Sequence, residues 1–231
     1  FCFSANGSYL YITDDSVDDI FQFTLSTPWD ITTASYTAIK ESVGNNFGLH
    51  ISSDGSNMYL MSTNGGSGTI TSYMKQCTMT TPYDITTLNY SSPTNTLTYR
   101  YQYSNENASA NTWNASYLPS TYINTPEPIN FVLSPDGTKF IMFGILQNSS
   151  AYQTYNTQSI TLSTPWDISV SSQSSSTLKE KILSQLPGDD REDNSFVLSP
   201  DGNTFYIKVI SHLKAPNYVS HGYKQFSLAE T

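Results

Sequence analysis

Hydrophobic and polar residues alternate in short runs along this chain, and the same order of runs occurs four times. Each unit begins with an apolar run, such as residues 131–133, and a turn and a second run of alternating character follow it. A third run, for example Asp19–Leu25, also alternates. A period of two is the spacing of side chains on one face of a β-strand. The pattern therefore predicts four antiparallel units built from β-hairpins.

The turn of each unit is marked by a glycine that follows Asn or Asp. Asp and Asn side chains hydrogen-bond to nearby backbone, and Gly tolerates a positive φ angle. The sequence predicts hairpin turns at four places, which are Asn6-Gly7, Asp54-Gly55, Asp136-Gly137 and Asp201-Gly202.

A Pro-aromatic-Asp motif follows the third run in three of the units. Its members are Pro28, Trp29 and Asp30, then Pro82, Tyr83 and Asp84, and finally Pro165, Trp166 and Asp167. Proline cannot donate to a strand ladder and marks the strand end. The aspartate is suited to cap the turn into a polar outer strand. The aromatic residue is expected to fill the gap between neighbouring units, with Trp29 and Trp166 largely buried. We interpret all nine residues as scaffold.

A repeat of about 45 residues made of β-strands is typical of a propeller blade. The sequence therefore predicts an all-β fold, a β-propeller with about four visible blades, at about 1–43, 44–124, 125–193 and 194–231. The last unit stops before a Pro-aromatic-Asp motif, so we expect a segment of a longer chain or a ring with one incomplete blade. Either arrangement leaves a sheet edge open to pairing. The longest helical periodicity covers residues 177–186.

Charge and composition narrow the functional classes. The 231 residues include only ten Lys and Arg and carry a net charge of −9, which argues against nucleic acid as a partner. No apolar run reaches the roughly 18 residues that a membrane span needs. Neither a cofactor nor a metal site is expected, because no Cys-x-x-Cys or His cluster occurs. The acidic stretches 14–19 and 189–193 are expected to be solvated loops, with a Ca²⁺ site as the alternative.

Candidate chemistry is sparse. The three histidines occur singly, and His50 is expected to be packed or to face a channel, so no catalytic residues and no enzyme are predicted. Cys2 and Cys77 are either buried free thiols or a disulfide between adjacent blades. Aromatic residues among Asn and Ser make the insertion 99–124 a candidate binding surface for protein or sugar. Its aromatic residues are Tyr99, Tyr101, Tyr103, Trp113, Tyr117 and Tyr122. The alternative is that they pack on their own blade.

The repeat also resembles a known family. Residues 134–140, 21–36 and 162–169 are similar to β-propeller repeats with SPDG turns and STPWDI motifs, found in phage and virus-like genomes and in some bacterial surface proteins. The resemblance implies a non-enzymatic virion structural protein that acts in particle assembly, decoration or host attachment. Its partners would be other virion or surface proteins in a larger complex, and a glycan receptor is an option. The alternatives are a carbohydrate-binding, adhesive propeller on a bacterial surface or secreted from it, and a glycan-active propeller enzyme.

Overall fold

Four antiparallel β-sheets make up the structure, a computed structural model. It describes residues 1–14, 17–44, 46–66, 69–102, 127–147, 153–169, 171–174, 196–198, 204–212 and 219–227. Within these residues there are fifteen strands and no α-helix, so the predicted all-β class is confirmed. The candidate helix at 177–186 lies outside the described residues, as does the turn at Asp201-Gly202.

Each sheet is a meander in which strands adjacent in sequence are adjacent in space. The first sheet contains β1 (Cys2–Phe3), β2 (Tyr9–Asp14), β3 (Asp19–Leu25) and β4 (Ala34–Lys40). The second contains β5 (Asn46–Ile51), β6 (Asn57–Gly66), β7 (Thr69–Thr78) and β8 (Asn95–Gln102). The third contains β9 (Glu127–Leu133), β10 (Lys139–Gln147), β11 (Gln153–Leu162) and β12 (Ser171–Ser174). The fourth contains β13 (Phe196–Leu198), β14 (Thr204–His212) and β15 (Val219–Ser227).

Short 3₁₀ turns follow the third strand in the first two sheets, at Ile31–Thr33 and Ile85–Thr87. Each comes directly after a Pro-aromatic-Asp motif. The proline cannot extend the ladder, and β3 and β7 end before it, at Leu25 and Thr78.

The sheets contact one another in chain order through their first strands. β1 lies against β5, β5 against β9, and β9 against β13. Two hydrophobic clusters fill the spaces between successive sheets. One joins the first and second sheets around Tyr11, Ile20, Met58, Leu60 and Ile85. The other joins the second and third sheets around Tyr59, Met61, Phe131, Phe140 and Ile168.

The strand β6 shows how one element serves both clusters. Met58 and Leu60 belong to the cluster shared with the first sheet, whereas Tyr59 and Met61 belong to the cluster shared with the third. All four side chains are fully buried. Alternation along a strand sends successive side chains to opposite faces, so a continuous apolar run identifies a strand covered on both sides.

The cysteines and the possibility of a membrane span were two further points of the sequence analysis. Cys2 and Cys77 are free thiols, and Cys77 is buried in the first cluster. None of the helical segments among the described residues is long and apolar enough to cross a membrane.

Candidate functional site

The Pro-aromatic-Asp motif folds back onto the turn glycine of its own sheet. The amide nitrogen of Trp29 donates to the Gly7 carbonyl at 3.0 Å, and Tyr83 contacts Gly55 in the same way, at 3.0 Å. Trp166 N–H donates to the Gly137 carbonyl at 2.9 Å. The three aromatic residues have positive φ angles of 68°, 65° and 66°. The motif and the turn are thus one structural unit, although the glycine and the aromatic residue are 22, 28 and 29 positions apart in the three sheets.

Two constraints require glycine at that turn. Gly55 has a φ of +72°, a conformation that residues with a Cβ rarely adopt. A Cβ on Gly55 would also lie 2.6 Å from the Tyr83 ring, and one on Gly7 or Gly137 would overlap the Trp29 or Trp166 ring. The aromatic ring can lie directly over the glycine because glycine has no side chain.

The aspartate of each motif caps the turn that follows. The Asp30 carboxylate accepts from the Thr32 amide at 3.0 Å, and Asp84 accepts from Thr86 at 2.9 Å. Asp167 accepts from the Ser169 amide at 2.9 Å. Hydrogen bonds from the Thr32 hydroxyl and amide hold the pKa of Asp30 below its ordinary value. These are local contacts, identical in kind in all three sheets.

The second-sheet motif docks on the first sheet through two polar side chains. The Tyr11 hydroxyl and the Gln22 side-chain amide both donate to the Tyr83 carbonyl, each at 2.8 Å. The Ile85 amide donates to the Gln22 side-chain oxygen at 3.0 Å. Tyr11 and Gln22 are cross-strand partners in β2 and β3. We call such a pair of facing residues the Tyr–Gln pair.

The third-sheet motif docks on the second sheet in the same way. Tyr59 and Gln76 are cross-strand partners in β6 and β7. The Tyr59 hydroxyl donates to the Trp166 carbonyl, and the Ile168 amide donates to the Gln76 side-chain oxygen at 3.2 Å. Asn95 adds a bond to Asp167 at 3.0 Å. Both docked motifs therefore bind the preceding sheet through backbone groups, with a tyrosine and a glutamine as partners.

Burial keeps two tyrosines and one histidine of these interfaces uncharged. Desolvation raises the pKa of the Tyr11 and Tyr59 hydroxyls well above the ordinary value of 10.0, so both stay protonated donors. His50, half-buried, lies 6.1 Å from the Trp166 ring between centroids, and desolvation lowers its pKa to about 4. His50 is therefore a neutral packing residue of the second interface at neutral pH.

The motif of the first sheet is uncovered. Trp29 is 59% exposed and Ile31 is 62% exposed, whereas the equivalent Ile85 and Ile168 are fully buried. The predicted burial of Trp29 is wrong. Its ring packs on Phe3 of its own sheet, at 5.4 Å between centroids, because the described chain places no preceding sheet against this motif. Tyr83 and Trp166 do contact a neighbouring sheet, but Trp166 is half-buried and not largely buried as predicted.

The first sheet consequently presents an apolar surface, which we call the first-sheet patch and define as Phe3, Trp29 and Ile31. Asp30 lies between Trp29 and Ile31 in sequence and is half-buried.

The six aromatic residues predicted to bind a partner fall mostly outside the described residues. Tyr99 and Tyr101 lie in β8, the last strand of the second sheet, opposite Ser72 and Ile70 of β7. The remaining four are Tyr103, Trp113, Tyr117 and Tyr122, and the binding role of all six stays a prediction.

Metal ligands do not gather in the part of the chain that the structure describes. No group there contains three or more His, Cys, Asp or Glu side chains within reach of one ion. Asp14 and Asp19 of the first acidic stretch are cross-strand partners, and Asp19 accepts from the Ser42 amide at 3.0 Å. The second acidic stretch, at 189–193, lies outside the described residues.

Sequence reasoning missed the Tyr–Gln pair, although the signal was present. The tyrosine stands four positions after the turn glycine, at Tyr11, Tyr59 and Tyr206. The glutamine stands three positions before the Leu or Met that closes the third run, at Gln22, Gln76 and Gln225, with Leu25, Met79 and Leu228 as the closing residues. The third sheet has Ile141 and Ser159 at these positions instead.

Comparison with known proteins supplies no family. No family model matches the chain, and no curated protein matches it. Among solved structures, hydrazine synthase of Kuenenia stuttgartiensis is similar over 98% of this chain, with 11% identity and a TM-score of 0.44. The chain spans 62% of the length of that protein. A candidate 6-phosphogluconolactonase from Bacteroides uniformis is similar over 96% of this chain and 70% of its own, with 13% identity and a TM-score of 0.41.

Proposed function

We propose that the four sheets are blades of a β-propeller, and that the chain is a non-enzymatic virion structural protein acting in particle assembly, decoration or host attachment. Three features support the blade arrangement. The first strands contact in series, the hydrophobic clusters lie between sheet faces, and each docked motif binds the preceding sheet. Propellers are built by radial repetition of four-stranded sheets, and these contacts between successive sheets are consistent with that architecture.

The observation that carries a binding function is the exposed first-sheet patch. A neighbouring sheet covers the Pro-aromatic-Asp motifs of the second and third sheets. The motif of the first sheet is uncovered, and its residues Trp29 and Ile31 are exposed to solvent. Tryptophan is enriched in protein–protein interfaces and among the residues that contribute most to binding. The hydrogen bonds described at these interfaces serve docking and capping, which supports a scaffold role. The virion setting comes from the repeat resemblance.

Labelling of particles tests this function. An antibody against the recombinant chain should label purified virions from the source of the sequence, and mass spectrometry should find the chain at a fixed stoichiometry there. Antibody absorbed with the recombinant chain serves as the control. Absence from particles would contradict the virion role, and turnover of a glycan that one Asp or Glu substitution abolishes would contradict the non-enzymatic role.

Binding of glycans tests the carbohydrate alternative within the same role. A glycan array probed with the purified chain distinguishes a sugar receptor from a protein partner. If the first-sheet patch is the contact, Trp29→Ala should weaken binding about tenfold or more, which corresponds to about 1.4 kcal/mol. Val17→Ala is the matched control, because Val17 is 52% exposed and lies in the loop at the other end of the β2–β3 hairpin.

A further inference from the structure

We propose that the Tyr206–Gln225 pair of the fourth sheet binds the Pro-aromatic-Asp motif of the first sheet of a second copy of this chain. The proposal deepens the assembly function above by naming the partner and the two surfaces that meet. It would make the chain a head-to-tail self-associating module.

Internal comparison of the repeat carries the inference. Where a Tyr–Gln pair faces a Pro-aromatic-Asp motif, the two bind by three hydrogen bonds in the first interface. The second interface repeats the tyrosine-to-carbonyl bond and the amide-to-glutamine bond. The chemistry is thus a property of the two sequence elements and recurs with different neighbours around them.

The fourth sheet has the same pair in the same register. Tyr206 of β14 is the cross-strand partner of Gln225 of β15, as Tyr11 is of Gln22 and Tyr59 is of Gln76. Both positions also keep their distance in sequence from the turn glycine and from the Leu or Met that closes the third run. A further motif is therefore expected to bind there.

The first sheet supplies a motif with the required groups. Its backbone has the same positive φ at Trp29 and the same aspartate-capped 3₁₀ turn as the docked motif of the second sheet. Docking buries the second-sheet isoleucine completely, whereas Ile31 remains 62% exposed. The motif is preformed, so little conformational entropy opposes its binding.

A second copy is the occupant that the structure favours. With the fourth sheet of the same chain present, the first-sheet patch remains open to solvent. Binding between a motif on one copy and a pair on the next is heterologous, and it leaves one free end of each kind. Copies therefore add in one direction, toward a ring or a filament. Since each copy carries a charge of −9, repulsion should weaken the contact at low salt.

Complementation between two variants tests the proposal. Ile31→Asp disables the motif and leaves the pair, while Tyr206→Phe with Gln225→Leu disables the pair and leaves the motif. We expect the wild type to form dimers and larger species from about 1 to 200 μM, the range where micromolar contacts populate. Each variant alone should be monomeric, and an equimolar mixture should give a 1:1 dimer and nothing larger. Sedimentation velocity at about 150 mM salt measures this.

Matched controls separate the contact from general effects of substitution. Val17→Asp adds the same charge at another exposed apolar position, and Ser159→Ala alters the corresponding position of the third sheet, which lacks the pair. Both should associate like the wild type. Far-UV circular dichroism checks folding, and Gln225→Leu alone replaces the double variant if that one unfolds, with at least a tenfold weaker association expected.

Two results would overturn the proposal. A wild type that stays monomeric over the whole range would show that the pair and the motif meet within one chain or not at all. A mixture of the two variants that forms no dimer would show that other surfaces associate. Neither result affects the particle-labelling test, so failure of this inference and failure of the proposed function are distinguishable.

Discussion

The docked motif of the second sheet and the undocked motif of the first have the same local structure and different burial. Asp30 and Asp84 cap their turns at 3.0 and 2.9 Å, and the preceding aromatic residues share a positive φ. Yet Ile85 is fully buried, and Ile31 is 62% exposed. Local sequence thus determines the shape of the motif, and the preceding sheet determines what that shape contributes to stability.

The largest expected effect comes from truncating the two isoleucines. Ile85→Ala should lower the free energy of unfolding by about 2–5 kcal/mol, because it leaves a cavity in the cluster between the sheets. Ile31→Ala should change it by no more than about 0.5 kcal/mol, as is usual at the surface. Urea unfolding followed by tryptophan fluorescence measures both. Equal losses would mean that the first motif is covered in solution.

Removing the Tyr–Gln pair of the first sheet should come next. Gln22→Leu leaves the buried Ile85 amide without its acceptor, at a cost of about 1–3 kcal/mol. Tyr11→Phe should cost about 0.5–1.5 kcal/mol, because the Tyr83 carbonyl keeps its bond from Gln22.

The double variant sharpens this expectation. With both donors gone, the Tyr83 carbonyl has lost its two partners in the first sheet, so the combined loss should exceed the sum of the single losses. Strict additivity would show that the two residues do not act on one carbonyl.

Alanine at the turn glycine should lower the free energy of unfolding more in the third sheet, where the motif is docked, than in the first. The difference should be smaller than that between the two isoleucines. Gly137→Ala should cost about 2–3 kcal/mol, from backbone strain and overlap with Trp166, whose ring also contacts His50 and Tyr59. Gly7→Ala should cost about 1 kcal/mol, because the half-exposed Trp29 ring can move into solvent.

Gly44→Ala is the control for strain alone. Gly44 has a φ of +75°, and an added Cβ would approach only the Tyr90 hydroxyl, at 3.3 Å. Thermal unfolding compares the three variants, and a Gly7→Ala loss equal to that of Gly137→Ala would show that the Trp29 ring is fixed as firmly as Trp166.

The last expected effect concerns pH and the second interface. The folded His50 has a pKa of about 4, below its ordinary 6.5, so the unfolded chain binds a proton here that the folded chain does not. Stability should therefore fall as pH drops from 6.5 toward 4, by at most about 1.4 kcal/mol per pH unit from this residue. His50→Gln should flatten the profile between pH 6.5 and 5. An unchanged slope would assign it to other groups.

The aspartate Asp136 affects stability in a different pH range from His50. Hydrogen bonds from the Ser134 hydroxyl and the Thr138 amide hold the pKa of Asp136 below 3.8, so its stabilising contribution is present above that value and is lost at lower pH. The range between pH 5 and 6.5 is therefore the one in which His50 can be tested separately.

The sequence alone determined the elements that depend on nearby residues. Period-two alternation identified the strands, and Ser-x-Asp-Gly identified turns such as the one at Gly137, because both patterns reflect local backbone preferences. The prediction for Trp29 failed for a related reason. Its motif is identical to that of Trp166, and no local pattern states whether another sheet lies beside it.

Only the tertiary structure decided which residues hold the sheets together. Tyr11 and Tyr83 are 72 positions apart, and Tyr59 and Trp166 are 107 apart. A tyrosine on a strand has many possible partners, and its role follows from which backbone carbonyl the neighbouring sheet presents to it. The two observed interfaces are the basis for proposing a docking role for Tyr206 and Gln225. Sequence periodicity alone could not suggest that role. The physical reason is that contact between sheets depends on the relative placement of distant segments, whereas strand and turn formation depends on the segment itself.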